Sequence, residues 1–182
     1  MKQLLFVLVA ITLFSCKDDS KVEEAVAKIP IEFKVERFDQ IFYQSKPEDL
    51  NKIKAQYPFF FPAGNPDSIW VNKLQNPLLK ELYKEVQMKY PTLGPVEADM
   101  EKMFAYVQYY FPKYKTPRVI TLISEVDTEA KAFYVDTLAL VSLDCYLGKD
   151  HRFYVDFPEY KKAELEENQI LPNLVSTFCY GK

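Results

Sequence analysis

Residues 118–123 read RVITLI, and this stretch decides what kind of fold the chain adopts. Four of its six residues are β-branched, which favours a strand, and after Arg118 no charged residue alternates with the apolar ones. The pattern therefore predicts a strand that is covered on both faces. Because Pro117 precedes the stretch, we expect the strand to begin at Arg118.

Further strands are predicted on both sides of this stretch. Ile31–Glu36 alternates apolar and charged residues with period two, as a half-buried strand does. Residues 132–135 and 137–143 have the composition of two more strands, and the polar residues 124–131 form a turn before them. The sequence thus predicts a small sheet of about three or four strands.

Helices are predicted to surround this sheet. Ser45 and Glu48 have the spacing of a capping box, and Asn65-Pro66 and Asn76-Pro77 each combine a cap with a first-turn proline. Apolar residues then recur at three- and four-residue steps in longer segments. These segments are residues 77–90, 95–111 and 160–178. The expected fold class is α+β, mostly helical around a small sheet.

The chain begins with the build of a secretory signal peptide. Lys2 supplies a basic start, and an apolar run over residues 4–14 follows it. The run is too short for a membrane span, which needs about 20 apolar residues. We therefore expect residues 1–15 to be a signal peptide that is removed.

A single cysteine directly follows this signal. Leu13-Phe14-Ser15-Cys16 resembles the lipobox of bacterial lipoproteins. The resemblance implies that Cys16 carries diacylglyceryl and further acyl chains such as palmitate, which together suffice for stable membrane anchoring. Lys17-Asp18-Asp19 then resembles the signal that exports some Bacteroidetes lipoproteins to the cell surface. The alternative for these three residues is a solvated linker.

The rest of the chain is expected to be one folded unit on a tether. We predict a lipidated tether with some helical tendency over residues 16–29 and a single α+β domain over residues 30–182. A net charge of −3 argues against nucleic acid as a partner. The expected location is the bacterial cell envelope at the outer membrane, with the leaflet left open. Cys145 and Cys179 are either a disulfide pair or two free thiols.

Residues suited to catalysis are scarce. His151 is the only histidine, so the two-histidine zinc motif H-E-x-x-H cannot be built in this chain. A metal role for His151 with Asp144, Asp150 or Asp156 is conceivable, but a structural or surface role is favoured. Ser142 lacks a nucleophile elbow, and Cys179 has no histidine near it in sequence. We expect no catalytic residue, no metal and no cofactor, although spacing alone does not exclude a pair of catalytic carboxylates.

Two aromatic runs have two interpretations. Phe59-Phe60-Phe61 and Tyr109-Tyr110-Phe111 offer stacking faces for a sugar or a peptide, or they fill a core or an interface. The second interpretation is the more common one.

Four motifs resemble the gliding-motility lipoprotein family GldB of Bacteroidetes. They are Arg37-Phe38-Asp39, Pro66–Trp70, Tyr110-Phe111-Pro112 and, above all, Tyr146–Tyr154. The resemblance implies an envelope lipoprotein needed for gliding, linked to type IX secretion and acting through contacts with other envelope proteins. It transfers one functional position, Cys16. Six motif residues have no known role: Tyr146, Leu147, Gly148, Asp150, His151 and Tyr154.

Two alternatives to this function stay open. The order of strands and the helix after them also resembles, distantly, zincin-type metallopeptidases, although the metal motif is absent. The chain would then be a truncated or degenerate hydrolase, and we expect a C-terminal truncation because family members usually continue further. The other alternative is a surface lipoprotein that binds glycan or peptide.

Overall fold

The computed structural model describes residues 17–135 and 137–180, and its fold confirms the α+β prediction. A mixed four-stranded sheet has the order β1-β2-β4-β3. Strands β1 and β4 both pair with β2 in parallel, and β3 pairs with β4 in an antiparallel manner. The strands are β1 (Val35–Arg37), β2 (Arg118–Leu122), β3 (Ala132–Val135) and β4 (Leu138–Ser142).

Eight α-helices lie within the described ranges. They are α1 (Lys17–Val26), α2 (Phe38–Tyr43), α3 (Leu50–Gln56), α4 (Asp67–Gln75), α5 (Pro77–Lys89), α6 (Gly94–Tyr110), α7 (Glu159–Lys162) and α8 (Ile170–Tyr180). Short 3-10 turns lie at Pro47–Asp49, Pro58–Phe60, Leu143–Cys145, Arg152–Tyr154 and Glu167–Gln169. In the described part of the chain, no helix combines the length and apolarity that a membrane span requires.

The chain forms two compact units. The first contains the described residues up to Glu32 together with Ala98–Thr116, and within it the rings of Phe104 and Tyr114 stack at 6.4 Å. The second unit contains Phe33–Glu97 and the described residues from Pro117 onward, and it holds the four-stranded sheet. The tether and the single domain of residues 30–182 stay predictions.

Strand β2 is the buried centre of the sheet, as its sequence predicted. Val119, Ile120 and Thr121 are almost completely buried. Strand β2 pairs with β1 along one of its edges and with β4 along the other, in the register Glu36↔Ile120↔Leu140. A strand with parallel partners on both edges has to be covered on both faces, which explains its unbroken apolar composition.

The two faces of the sheet are covered to different extents. On one face, helix α8 packs against β3 and β4, and Tyr134 contacts Phe178. On the other face, the strand register aligns Ile120, Leu140 and Phe133 across β2, β4 and β3. Ile120 is buried, Leu140 is half-buried and Phe133 is exposed. Exposure on this face therefore rises from the sheet centre towards β3.

An aromatic cluster covers the buried half of that face. Phe38 of α2 lies 5.0 Å from Tyr57 and 4.4 Å from Phe60, between ring centroids. The aromatic run of residues 59–61 thus belongs mainly to the core, although Phe59 is exposed. The buried members of the cluster are Phe38, Phe42, Leu50, Ile53, Tyr57, Phe61, Leu74 and Ile120.

Three local predictions were partly wrong. Ser45 does not cap a helix, because its hydroxyl donates back to the carbonyl of Phe42 at 2.7 Å. The first turn is closed instead by Asp49, whose carboxylate accepts the backbone N–H of Lys46 at 3.0 Å. Helix α4 begins at Asp67, and Asn65 makes no cap for it. Only the end of the predicted strand 31–36 is paired, because β1 begins at Val35.

The cap at Asn76 gives a stability prediction. Its side-chain oxygen accepts the N–H groups of Leu78 at 2.9 Å and Leu79 at 3.3 Å, so Asn76→Ala leaves two donors without this acceptor. We expect a loss of about 1 kcal/mol in the free energy of unfolding. Urea titration of the full-length chain, followed by the fluorescence of the single tryptophan, Trp70, measures it. Asn65→Ala is the matched control and should change stability by less than about 0.5 kcal/mol; equal losses in both variants would contradict the assignment of the cap.

Candidate functional site at the carboxyl edge of the sheet

Three parallel strands end at the same edge of the sheet. Strands β1, β2 and β4 end at Arg37, Leu122 and Ser142, and polar residues follow each end within two positions. In open sheets with parallel strands, ligands bind outside the carboxyl ends of the strands. Two buried carboxylates, Asp39 and Asp144, lie at this edge. We therefore treat it as the candidate functional site.

Asp39 is fully buried and is surrounded by donors. Thr121 donates its hydroxyl to Oδ1 at 2.5 Å, and Gln87 donates its amide to Oδ2 at 2.9 Å. Arg37 adds a forked contact, with Nε 3.0 Å from Oδ1 and Nη2 2.8 Å from Oδ2. A carboxylate has about four lone-pair positions, and these contacts occupy them. Asp39 is therefore a structural anchor that fixes the end of β1 against β2 and α5.

A small aromatic cavity adjoins Asp39. Its volume is about 120 Å³. For comparison, an apolar cavity of about 150 Å³ holds a benzene ring, so this one is sized for a single ring or a branched aliphatic group. Lys73 lies at the cavity and pairs with Glu125. The lining residues are Phe38, Asp39, Phe42, Tyr43, Phe60, Trp70, Lys73, Leu122 and Ile123.

The turn that follows β2 has an unusual backbone. Glu125 and Val126 have φ angles of 66° and 59°, in the left-handed region that a β-branched residue rarely enters. Asp144 holds this turn, because its carboxylate accepts the N–H of Ser124 at 3.0 Å and the N–H of Val126 at 2.6 Å. Backbone strain of this kind is maintained only where the surroundings fix it, and it is concentrated at functional sites.

Burial controls the ionisation of this carboxylate. It raises the pKa of Asp144 to about 6, although the N–H groups of Ser124 and Val126 act in the opposite direction. Three neighbouring side chains interact electrostatically with Asp144. Burial raises the pKa of each above its ordinary value, so all three stay neutral below pH 8. These neighbours are Tyr43, Cys145 and Tyr154.

Tyr146, Leu147 and Tyr154 form a buried hydrogen-bonded support behind this edge, together with Tyr90 and Gly148. Tyr90 donates its hydroxyl to the carbonyl of Tyr146 at 2.6 Å. Tyr154 donates to the carbonyl of Asp144 at 2.5 Å and accepts the N–H of Leu147 at 3.0 Å. Gly148 has a φ of 109°, which favours glycine, and its N–H donates to Leu165 at 3.0 Å. These residues hold Asp144 in position through the backbone.

His151 has a structural environment. Its Nε2 lies 3.4 Å from a carboxylate oxygen of Glu85, and its Nδ1 accepts the N–H of Phe153 at 3.4 Å. Arg152 also binds Glu85, at 2.7 Å, and this bond lowers the pKa of Glu85. Within the described ranges no three potential ligand side chains are grouped to hold a metal ion. Asp150 is exposed, as is Asp156.

Comparison with known proteins decides the family. A family model described as gliding motility protein GldB matches residues 19–181. The chain belongs to the GldB family. Neither the curated proteins nor the solved structures compared with the chain gave a match, so the resemblance to zincins stays a prediction. Membership of the GldB family indicates a gliding-motility lipoprotein of the cell envelope.

The predicted site residues of this GldB protein lie in different parts of the chain, and not all of them are described by the structure. Leu13, Phe14, Ser15 and Cys16 lie outside the described residues, and the backbone of Lys17-Asp18-Asp19 belongs to α1. The family-motif residues Tyr146, Leu147, Gly148 and Tyr154 come together behind the carboxyl edge, whereas Asp150 and His151 lie outside that buried support.

The two remaining cysteines do not pair. Cys145 and Cys179 are free thiols, the first buried and the second exposed. The Cys145 sulfur lies 3.5 Å from the hydroxyl of Ser124 and 3.4 Å from the carbonyl of Asp127. Because burial raises the pKa of the Cys145 thiol, it remains protonated at neutral pH and is a poor nucleophile.

Sequence reasoning missed the roles of Asp39 and Asp144. Asp144 directly follows the predicted strand 137–143, and Asp39 lies three positions after the predicted strand Ile31–Glu36, so both lie at the carboxyl edge that parallel pairing creates. An acidic residue within three positions of the end of a predicted strand was the available signal, and it applies to both residues.

The ionisation of Asp144 predicts a pH dependence of stability. The native state favours the protonated form of Asp144, and this preference adds to the free energy of unfolding. The added stability is fully present below the ordinary pKa of 3.8 and is lost as the pH rises through about 6. The stability difference between the wild type and Asp144→Asn should therefore fall by about 2–3 kcal/mol between pH 4 and pH 7. Urea unfolding at four pH values measures this difference.

Other acids affect both proteins equally in this comparison. Glu36 and Glu85 have pKa values lowered by Arg118 and Arg152, and their contributions cancel between the wild type and the variant. A stability difference that grows as the pH rises would mean that the N–H groups around Asp144 outweigh its burial, and would refute the prediction.

Proposed function

We propose that this GldB protein is a non-catalytic component of the gliding machinery, linked to type IX secretion, that acts through protein contacts. It is anchored in the outer membrane by acyl chains on Cys16. The observation that carries the proposal is the family match over residues 19–181, which begins three residues after the lipobox cysteine. The anchor and the matched segment are thus adjacent in the chain.

The anchor has a physical consequence for binding. Several acyl chains hold the protein in one membrane plane, since each buried methylene contributes about 0.8 kcal/mol. Confinement to a plane raises the effective concentration of partners in the same membrane. A contact that is weak in solution therefore suffices for assembly there.

The partly covered face of the sheet supports the role of protein contacts. Phe133 and Val135 are 39% and 57% exposed, and they lie opposite Leu140 and Leu138 of β4. We call these four residues the β3–β4 apolar face. Two of the four are exposed and two are half-buried, and an apolar patch that remains accessible in this way suits an interaction site. Its partner in the proposal is another envelope protein of the gliding machinery.

The chemistry of the buried acids supports a non-catalytic role. The carboxylate of Asp39 is occupied by its three side-chain partners, and that of Asp144 holds a backbone turn. The Cys145 thiol beside Asp144 stays protonated, so it is a poor nucleophile. Both carboxylates are thus used to maintain the structure.

Loss of the anchor should abolish function. In a strain from which the gene is deleted, the wild-type gene should restore gliding and Cys16→Ala should not, because the protein leaves the membrane. Colony spreading and membrane fractionation measure the two effects. Cys179→Ala changes another cysteine and should restore gliding fully. Full gliding with unanchored Cys16→Ala protein would reject the anchor, and full gliding of the deletion strain would reject the function.

Charge on the β3–β4 apolar face should abolish gliding without unfolding the protein. In the same strain, we expect Phe133→Lys with Val135→Lys to accumulate at the normal level and to give at least a tenfold decrease in spreading. Val155→Lys is the control, since Val155 is 71% exposed but lies outside β3 and β4. If the double variant glides like the wild type, the β3–β4 apolar face is not a contact site that gliding requires.

A further inference from the structure

A polar groove lies between the turn before β3 and helices α7 and α8. Its volume is about 390 Å³, within the range of about 300–1,000 Å³ that is typical of small-molecule sites. Its lining residues are Thr128, Glu129, Lys131, Ala132, Tyr160, Lys161, Glu164, Asn173, Ser176 and Thr177. We call it the α7–α8 groove. All of these residues belong to the second compact unit.

The charges of the groove neutralise one another. Lys131 pairs with Glu164, and Lys161 pairs with Glu129 at 3.2 Å. Lys161 also lies 3.4 Å from the hydroxyl of Thr128. An anionic ligand would meet two carboxylates and a cationic ligand two ammonium groups, so the groove favours a neutral molecule.

Helix α8 contributes a stripe of uncharged polar groups to the floor. Asn173, Ser176 and Thr177 are spaced three and four residues apart and therefore lie on one side of the helix. The hydroxyl of Thr177 donates to the carbonyl of Leu174 at 3.0 Å, so its oxygen is left as an acceptor. The stripe offers amide and hydroxyl groups, which match the hydroxyl groups of a neutral ligand.

A family-motif residue orients this stripe. The side-chain amide of Asn173 donates to the hydroxyl of Tyr146 at 3.0 Å, and Tyr146 is buried. This bond directs the amide nitrogen of Asn173 towards Tyr146 and so fixes the orientation of the amide group. Tyr146 is thus a positioning residue for the groove and also, through its bond from Tyr90, part of the support behind Asp144.

An aromatic ring stands at the edge of the groove. Tyr160 is 70% exposed and adjoins Lys161, whose ammonium group is held by Glu129. A tyrosine combines an apolar ring face with a polar hydroxyl. The apolar face of a pyranose ring can pack on such a surface while its hydroxyl groups bind polar side chains.

We propose that the α7–α8 groove binds a neutral saccharide of one or two rings. Tyr160 packs against one ring face, while Asn173, Ser176 and Thr177 hydrogen bond to the hydroxyl groups. The paired lysines and glutamates exclude charged sugars. This inference goes beyond the proposed function, and it does not depend on lipidation of Cys16 or on the β3–β4 apolar face.

Titration with defined sugars tests the proposal. The full-length lipoprotein is used in a zwitterionic detergent, because glycoside detergents carry the proposed ligand chemistry. Isothermal titration and saturation-transfer NMR are run with N,N′-diacetylchitobiose, cellobiose and maltose, and with galacturonic acid and glucosamine as charged sugars. At least one neutral disaccharide should bind saturably at millimolar concentration or below, and more tightly than either charged sugar.

Variants locate the binding. Tyr160→Ala should weaken it at least tenfold and Ser176→Ala about threefold, while Tyr146→Phe should weaken it without changing a lining residue. Tyr110→Ala is the control, because Tyr110 is 60% exposed and belongs to the other compact unit. Urea unfolding of each variant separates a local effect from loss of the fold. Affinity should change less than twofold between 50 and 500 mM NaCl, since the groove charges are already paired.

Three results would overturn the proposal: no saturable binding of any neutral disaccharide, unchanged affinity in Tyr160→Ala and Ser176→Ala, or tighter binding of a charged sugar with strong dependence on salt. The source of the sugar is distinguished by comparing the bound disaccharide with its polymer. Equal affinity per disaccharide unit indicates an envelope or surface polysaccharide, whereas binding of the disaccharide alone indicates a free sugar. Gliding is not the readout, so failure here leaves the proposed function separately testable.

Discussion

The carboxylate of Asp39 is the interaction on which the second compact unit depends. It joins Arg37 at the end of β1, Thr121 of β2 and Gln87 of α5, which lie far apart in the sequence. Burying a charge is costly unless donors surround it, and breaking such a pair from one side costs about 3–5 kcal/mol. The network therefore permits one position of β1 against β2. The aromatic cluster and its cavity are built on that position.

The sequence predicted those parts of the fold whose physical cause is local. The β-branched run of β2 and the Asn76 cap of α5 are examples. Burial on two faces favours apolar residues within the strand itself, and the free N–H groups of a helix favour a capping side chain just before it. The cap predicted at Ser45 was wrong, because its hydroxyl donates to the carbonyl of Phe42, and Asp49 accepts the backbone N–H of Lys46 instead. The site residues Asp39 and Asp144 depend on strand order, which is a property of the whole sheet.

The two buried acids stabilise the carboxyl edge by different means. Asp39 binds side chains, and one of its partners, Arg37, carries the opposite charge. Asp144 binds backbone N–H groups without a cation, so burial dominates and its pKa rises. Two N–H groups reach this one carboxylate because Glu125 and Val126 adopt strained left-handed backbone conformations. Protonation of Asp144 is therefore coupled to the geometry of the turn that borders the cavity, through Glu125 and Lys73.

The family motif connects this edge with the polar groove. Tyr146 accepts from Tyr90 through its carbonyl and from Asn173 through its hydroxyl, so one residue connects the residue after α5 with α8. Tyr154 fixes the backbone of Asp144 two residues before Tyr146. A change in the position of this stretch would therefore move the strained turn and the polar stripe of α8 together. A buried tyrosine network of this kind keeps these two surfaces in a fixed geometry relative to each other.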